Sequence, residues 1–427
     1  VPSKAAQASI RPELALAVLP LTRAATTVLL PFAAGYFLSC LFRTINAVSS
    51  ARLGAELRLD ATALGLLTAA YFLAFAAAQL PVGIALDRFG PRRVQLALLP
   101  VAALGAALFA AADGFVLLLL GRALVGLGVA AALMAGLKAL VLWFPHERLA
   151  LANGCYVMLG ALGAVTATVP TEALLQSLGW RGLFVALAGL TVGAAGLLWM
   201  VAPRDAVTPP PSGMPPPALR QVFRDRSFWR VAPLSACCIG TAFALQGLWA
   251  GPWLADVALL DRPAVVRGLL AMGLGLCAGA LLLGIAADRL RRRGVRPGDL
   301  LVVVAGGAML AQLGLVLRLP IPLEVLLAFL GAVGSATVLS YAALAENFPK
   351  ELAGRANAAL NLLHIGAAFL VQAGIGCVVG LWAAAPEGRY PAAAYDAAFG
   401  ANLVPQAIAL VWFLLAPRTL SARRRMH

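Results

Sequence analysis

One short phrase occurs twice in this 427-residue chain, about 200 residues apart. Gly83-Ile-Ala-Leu-Asp87-Arg88-Phe-Gly90-Pro-Arg92-Arg93 follows one long apolar run, and Gly284-Ile-Ala-Ala-Asp288-Arg289-Leu-Arg-Arg-Arg-Gly294 follows another. A second landmark returns in the same order: Phe144-Pro145-His-Glu147, then Asn153, matches Phe348-Pro349-Lys-Glu351, then Asn357. Two landmarks at nearly one spacing identify a duplicated unit of roughly 200 residues. Each is a polar turn between hydrophobic segments, the pattern of a membrane transporter built from two similar halves.

Lipid must be the solvent for much of such a chain. Hydrophobic residues make up 62% of it and charged residues 12%, with a mean hydropathy of +0.89. The apolar runs are far longer than the ~10 residues of a barrel strand and lack its alternation, so they read as spanning helices. Twelve are expected, at 27–50, 62–82, 95–112, 115–142, 150–174, 181–202, 230–254, 264–286, 300–317, 322–346, 354–380 and 398–416. The fold class is therefore an all-α integral membrane protein with two pseudo-symmetric six-helix halves, 27–202 and 230–416. A lead-in at 1–26, broken by prolines and without a signal-peptide pattern, precedes them. A Pro-rich linker at 203–229, carrying the run Pro209–Pro217, joins them as a stiff tether, with a short amphipathic segment on the inner leaflet after it as the alternative, and a basic tail fills 417–427. Kinks are expected at Pro170, Pro252 and Pro405. Small-residue stripes at Gly121, Gly126 and Gly128 and at Gly154, Gly160 and Gly163 suit close helix contacts.

The net charge of +15 is a topology signal and not a nucleic-acid footprint. Loops on the side of the two termini carry about three basic residues for each one opposite, which puts both termini in the cytoplasm. Lysine appears only at Lys4, Lys138 and Lys350, an arginine bias that suits a GC-rich bacterial genome and an inner-membrane location. The six cysteines fall within predicted helices without metal spacing and read as packing residues. No nucleophile–base set or ligand cluster points to an enzyme, a metal or a cofactor.

Gly83-x-x-x-Asp87-Arg88-x-Gly90-x-Arg92-Arg93 resembles the signature loop of the major facilitator superfamily, and the degenerate copy at Gly284–Gly294 stands where that family repeats it. Arg122-x-x-x-Gly126-x-Gly128 is similar to its second motif. The resemblance implies a monomeric 12-helix transporter that moves a small solute by alternating access. It implies a conformational latch at Gly83, Asp87, Arg88, Gly90, Arg92 and Arg93, echoed by Asp288 and Arg289, in which the Asp87 carboxylate caps the cytoplasmic end of helix 11. The arginines would meet acidic groups or lipid headgroups, or serve only as positive-inside anchors. The family's antiporter motif carries a Gly-Pro pair in helix 5. Here the stretch reads Gly160-Ala-Leu-Gly163, which counts against efflux of lipophilic drugs and leaves it as the first alternative. A transporter-like sensor or assembly factor is the second.

An ionisable side chain inside a membrane needs a reason. Arg43 lies in helix 1 on a polar face with Ser39, Asn46 and Ser50, and offers a planar fork of donors suited to an oxyanion. The alternative is that it snorkels to headgroups. The phrase Phe42-Arg43-Thr-Ile-Asn46 also resembles the organic-anion branches of the superfamily, so the expected solute is a small organic anion. Tyr71 and Gln79 on helix 2, Gln246 and Trp249 on helix 7, and Asn361, His364 and Gln372 on helix 11 are the other candidate substrate contacts. The alternatives for them are interhelical bonding and, for Trp249 and Trp253, an interfacial belt. Arg122, Lys138, Glu346 and His364 are candidates for coupling, with protons the expected ion and Glu172 a further protonatable group. Burial is expected to raise the Glu346 pKa and favour its neutral form.

Overall fold

The computed structural model describes residues 20–145, 148–204, 219–346, 348, 350–385 and 388–416. The Pro209–Pro217 run, the 417–427 tail and most of the 1–26 lead-in lie outside the described residues. The described chain forms twelve helical passes: α1 (21–57), α2 (Ala61–Phe89), α3 (Pro91–Ala110), α4 (Phe115–Trp143), α5 (149–178), α6 (180–201), α7 (Arg226–Asp256), α8 (Arg262–Arg292), α9 (Pro297–Val316), α10 (323–345), α11 (Lys350–Val379) and α12 (Ala392–Leu415). A short linker helix, Leu219–Arg224, precedes α7.

Local chemistry sets these boundaries. Asp60 caps α2 by accepting from the Ala63 N–H at 2.7 Å, and Asp261 caps α8 by accepting from Ala264 at 3.0 Å. Gly90 takes φ 83° between α2 and α3, a conformation that disfavours a side chain, and Pro91 then opens α3 at a position where no N–H is needed. Gly179, at φ 65°, makes the turn between α5 and α6. Both signature helices run further than their apolar stretches: α2 reaches Phe89 against an expected 82, and α8 reaches Arg292 against 286. The polar ends stay helical because they make their own pairs, as Asp288 does with Arg291 at 3.2 Å and Arg292 at 3.1 Å.

Several passes are interrupted. α1 has a π turn at Ala25–Leu29, one turn before Pro31, and a break at Ile45. α4 is broken at Ala130–Ala131 and α10 at Gly334–Ala336. α5 breaks at Ala167–Thr168, just ahead of Pro170, which is why its Leu151–Thr166 portion is too short to count among the eleven described helices long and apolar enough to cross a membrane. α7 carries a π turn at Leu245–Trp249 immediately before Pro252, whereas α12 continues through Pro405. A helix resolves its proline either by a π turn or by bending.

Glycines let these helices touch backbone to backbone. A Cβ on Gly126 of α4 would stand 2.2 Å from the Tyr71 carbonyl oxygen of α2, and one on Gly163 of α5 would stand 2.1 Å from the Phe37 carbonyl of α1. Gly154, in the same stripe as Gly163, would meet nothing within 4 Å and is not a contact glycine. We therefore expect Gly126→Ala to lower the thermal midpoint of the purified protein by several degrees, the overpacking cost being about 1–3 kcal/mol, and Gly154→Ala to leave it unchanged. Equal midpoints for the two variants would contradict this packing.

The first half comprises α1–α6 and the second α7–α12. They meet along α2 and α11, α5 and α8, and α1 and α7. The α2–α3 and α8–α9 turns, with the linker helix, mark one face of the bundle, here called the basic face.

Candidate functional site

Tyr36, Cys40 and Arg43 recur at i, i+4 and i+7 on one side of α1, with Tyr36 stacked on Tyr156 of α5 and Arg43 reaching the other half. The Arg43 guanidinium lies over the Phe243 ring of α7, 4.4 Å from its centroid, and Nη2 is 3.8 Å from the Cys40 sulfur. Its Nε is buried without a hydrogen-bond partner. No carboxylate among the described residues pairs with it. A half-buried cation over an aromatic face is held in place but not neutralised.

Arg122 stands behind this group in α4. It is 0% exposed, donates from Nη1 to the Phe42 carbonyl at 3.0 Å, and stacks over the Tyr71 ring at 5.1 Å. Its Nε and Nη2 lack partners. Tyr71 in turn donates to the Ser39 carbonyl at 3.2 Å. Two guanidiniums thus flank the Arg43 turn of α1, a concentration of positive charge that an anion would relieve.

Two polar chains close the space toward the second half. In the first, Asn361 Nδ2 of α11 donates to Gln79 Oε1 of α2 at 3.0 Å, joining the halves, and Tyr341 donates to Asn361 Oδ1 at 3.3 Å. In the second, the Ser235 hydroxyl of α7 lies 2.6 Å from both His364 Nε2 and the Ser340 hydroxyl. His364 is 0% exposed and its Nδ1 has no partner. The Tyr341 and His364 rings, 6.1 Å apart, bring the chains side by side. Gln246 lies one turn beyond Phe243 on α7, buried, with its Nε2 unpartnered beside Thr44 and Thr168.

Other candidates serve packing. Asn46 donates to the Thr68 hydroxyl at 2.9 Å and ties α1 to α2. Trp249 is buried, not interfacial: its ring packs on Gly65 and Gly376, and its N–H donates toward the carbonyl of Gln372. The Gln372 amide fits better turned over, with Nε2 donating to Ala244 and Oε1 accepting from Trp249 at 2.9 Å. Trp253 is buried as well. Reading the sequence missed Tyr36, Phe243, Ser235, Ser340 and Tyr341. Only Tyr36 had a usable signal, its seven-residue spacing from Arg43.

On the basic face, no hydrogen bond or ion pair joins Asp87 to α11 among the described residues. Asp87 pairs with Lys138 of its own half at 2.7 Å, and Lys138 also donates to the Leu86 carbonyl at 2.8 Å. The expected cap on α11 is thus not made here, because Lys138 reaches the carboxylate first. Arg88 lies over Phe89 at 5.1 Å, Arg92 donates to the Trp199 carbonyl at 2.6 Å, and Arg93 and Arg289 are exposed. Glu346, expected to be buried, is exposed just past the end of α10. Partial desolvation still raises its carboxyl pKa, opposed by Arg296 and Arg291.

The opposite face is sealed by charge. Glu172 of α5, 6% exposed, accepts from both Nε and Nη2 of Arg262 at the start of α8, and lies 3.6 Å from Arg52 of α1. Arg262 Nη2 also donates to the Val48 carbonyl at 2.5 Å. One residue of the second half therefore pins two helices of the first. Tyr390 accepts from the Ala61 N–H at 2.9 Å beside it. At the rim, Arg181 and Trp180 donate to Glu56 and hold its carboxyl below the usual carboxylate range, so whatever it contributes is lost as pH falls through that lowered value. Among the described residues no group of three His, Cys, Asp or Glu could hold a metal ion.

The Major Facilitator Superfamily model matches residues 32–371. The chain is 30% identical over 179 residues to the probable L-galactonate transporter of Escherichia coli, covering 41% of this chain and 38% of that one. It is 25% identical over 158 residues to the probable sulfoacetate transporter SauU of Cupriavidus necator, covering 37% of each. The matched stretch spans roughly a third of the length of the first curated relatives. Among solved structures, a bacterial homolog of the human lysosomal transporter Spinster, in an inward-facing and occupied conformation, superposes with a TM-score of 0.73 at 19% identity, over 92% of this chain and 96% of that one. That likeness shows the fold.

Proposed function

Because this chain belongs to the major facilitator superfamily, we propose that it is a secondary active transporter carrying a small organic anion across the bacterial inner membrane by alternating access. The observation that carries the substrate class is Arg43: a central guanidinium over Phe243, without a carboxylate partner, with Arg122 behind it. A membrane interior tolerates such a group when a ligand supplies the countercharge. The probable galactonate and sulfoacetate transporters among its relatives support the same class. The test is a thermal-shift panel on the detergent-purified protein. An organic anion at 100 times its Kd is expected to stabilise it by about 2.7 kcal/mol, while neutral sugars and lipophilic cations leave it unmoved. Stabilisation by lipophiles alone would sink the anion reading in favour of drug efflux.

The basic face is assigned to the cytoplasm from its arginine excess. We read this arrangement as inward-facing, because the Glu172–Arg262 clasp closes the outer side while Asp87 is turned to Lys138. The latch forms in the other state, when Asp87 leaves Lys138 for α11. We assign coupling to protons, with His364 as the carrier: it is enclosed, bonded to Ser235 through one nitrogen, and its other nitrogen is unused. His364→Gln should abolish uptake driven by a pH gradient and spare solute exchange without one; unchanged gradient-driven uptake would remove His364 from that role.

A further inference from the structure

Glu56 and Asp256 stand 200 positions apart, close to the spacing of the duplicated turn. Each is an acid at the outer end of the first helix of its half, α1 or α7. Each also holds the beginning of the last helix of its half. Glu56 accepts from the Trp180 N–H at 2.6 Å and from Arg181, where α6 begins. Asp256 accepts from the Tyr395 hydroxyl at 2.7 Å and from the Tyr390 N–H at 3.2 Å, where α12 begins. The two anchors differ in one respect. Trp180 and Arg181 bond within the first half, Arg181 also reaching Ala112 and Asp113. The Tyr390 phenol instead crosses to the other half and accepts from the Ala61 N–H of α2 at 2.9 Å.

The Ala61 N–H is one of those that open a helix and have no partner inside it. Asp60 caps Ala63, so the phenol supplies a partner for Ala61 from across the interface. The end of α11 meets the same turn of α2. A Cβ on Gly380 would stand 2.2 Å from Thr62 Oγ1, and Thr62 donates to the Gly376 carbonyl at 3.4 Å. When the halves part here, water can take over at the Ala61 N–H. The bond then costs little to break, which suits a contact that must be remade in every cycle.

We infer that Tyr390 is a gate residue of the outer side, closed on Ala61, and that Asp256 is the positioning residue that aims it. Asp256 fixes the Tyr390 backbone through its N–H and the first turn of α12 through Tyr395, which leaves the phenol free to reach α2. The gate works beside the Glu172–Arg262 clasp on different helices, joining α2 to the start of α12 where the clasp joins α5 to α8. An acid that braces one half internally at Glu56 thus serves, in its second copy, a contact between the halves. The inference rests on the alternating-access reading and is independent of the solute.

The test is the rate at which a membrane-impermeant thiol reagent, added from the clasp side, labels a protein keeping Cys40 as its sole cysteine. Tyr390→Phe keeps the ring and removes the acceptor, and labelling should quicken about fivefold, the weight of one hydrogen bond. Asp256→Ala should quicken it to the same extent, and the two together no further, since both act through one bond. Asp256→Asn keeps an acceptor oxygen for Tyr390 and Tyr395 and should restore the parent rate. Glu172→Gln, which breaks the neighbouring clasp, is measured alongside. Faster labelling of Glu172→Gln with no change in Tyr390→Phe would overturn the gate. Additive effects of Asp256→Ala and Tyr390→Phe would overturn the positioning role. No acceleration in either Glu172→Gln or Tyr390→Phe would overturn the alternating-access reading, and this inference with it.

Discussion

Arg43→Ala should leave a folded protein that no longer transports its anion. The side chain packs on Phe243 and Cys40 and makes no ion pair among the described residues, so removing it costs little folding energy. It relieves the burial of an uncompensated charge, and a modest gain in thermal midpoint is expected. The loss falls on binding. Truncating one partner of a buried, hydrogen-bonded charge pair costs about 2–5 kcal/mol, or roughly 30-fold to several thousand-fold in kcat/KM. Arg43→Lys should recover part of this and no more, because an ammonium keeps the charge but cannot make the paired bonds of a guanidinium. Uptake in reconstituted vesicles reads both. Wild-type uptake by Arg43→Ala would mean that the guanidinium serves the lipid interface and not the solute.

The second large effect is expected at the outer clasp. Glu172 is nearly enclosed and takes three donors, two of them from Arg262 across the interface. Glu172→Gln leaves Arg262 and Arg52 facing each other without their shared carboxylate, so the sealed arrangement should give way to one open on that side. Arg262 is about a third exposed, so only part of the ~3–5 kcal/mol of a broken buried pair applies. A shift of at least about 1.4 kcal/mol, tenfold in population, is a reasonable floor. Cys40, buried beside Arg43, is a built-in reporter. In a protein keeping Cys40 as its sole cysteine, a membrane-impermeant thiol reagent added from the clasp side should label Glu172→Gln about tenfold faster than the parent. Equal rates would show that the clasp does not hold that side shut.

Much of the architecture was legible in the chain. The duplicated turn pointed to two halves, and long apolar runs placed twelve passes with ends within seven residues of those observed, since a bilayer leaves helices as the way to satisfy backbone groups in such runs. Arg43 stood out because an ionisable side chain in an apolar helix needs a reason, with snorkelling to headgroups as the alternative. What escaped were partnerships across sequence. Glu172 and Arg262 lie 90 residues apart, and each alone looks like an ordinary charge near a helix end. The Ser235–His364–Ser340 chain is likewise built from three helices and carries no local spacing. Asp87 was read through the latch, whereas its carboxylate pairs with Lys138, a partner 51 residues away that no local spacing signals. Glu346 was misplaced because α10 ends at Ala345, before the residue can turn inward.

The most direct test of the central claim is solute flux into vesicles holding only the purified protein, with radiolabelled organic anions, neutral sugars and lipophilic cations compared at a fixed pH gradient. A transporter organised around Arg43 accumulates one or more of the small organic anions, excludes the neutral and cationic solutes, and loses the accumulation on Arg43→Ala. Flux of cations or neutral lipophiles with no anion transported, undiminished in Arg43→Ala, would contradict it.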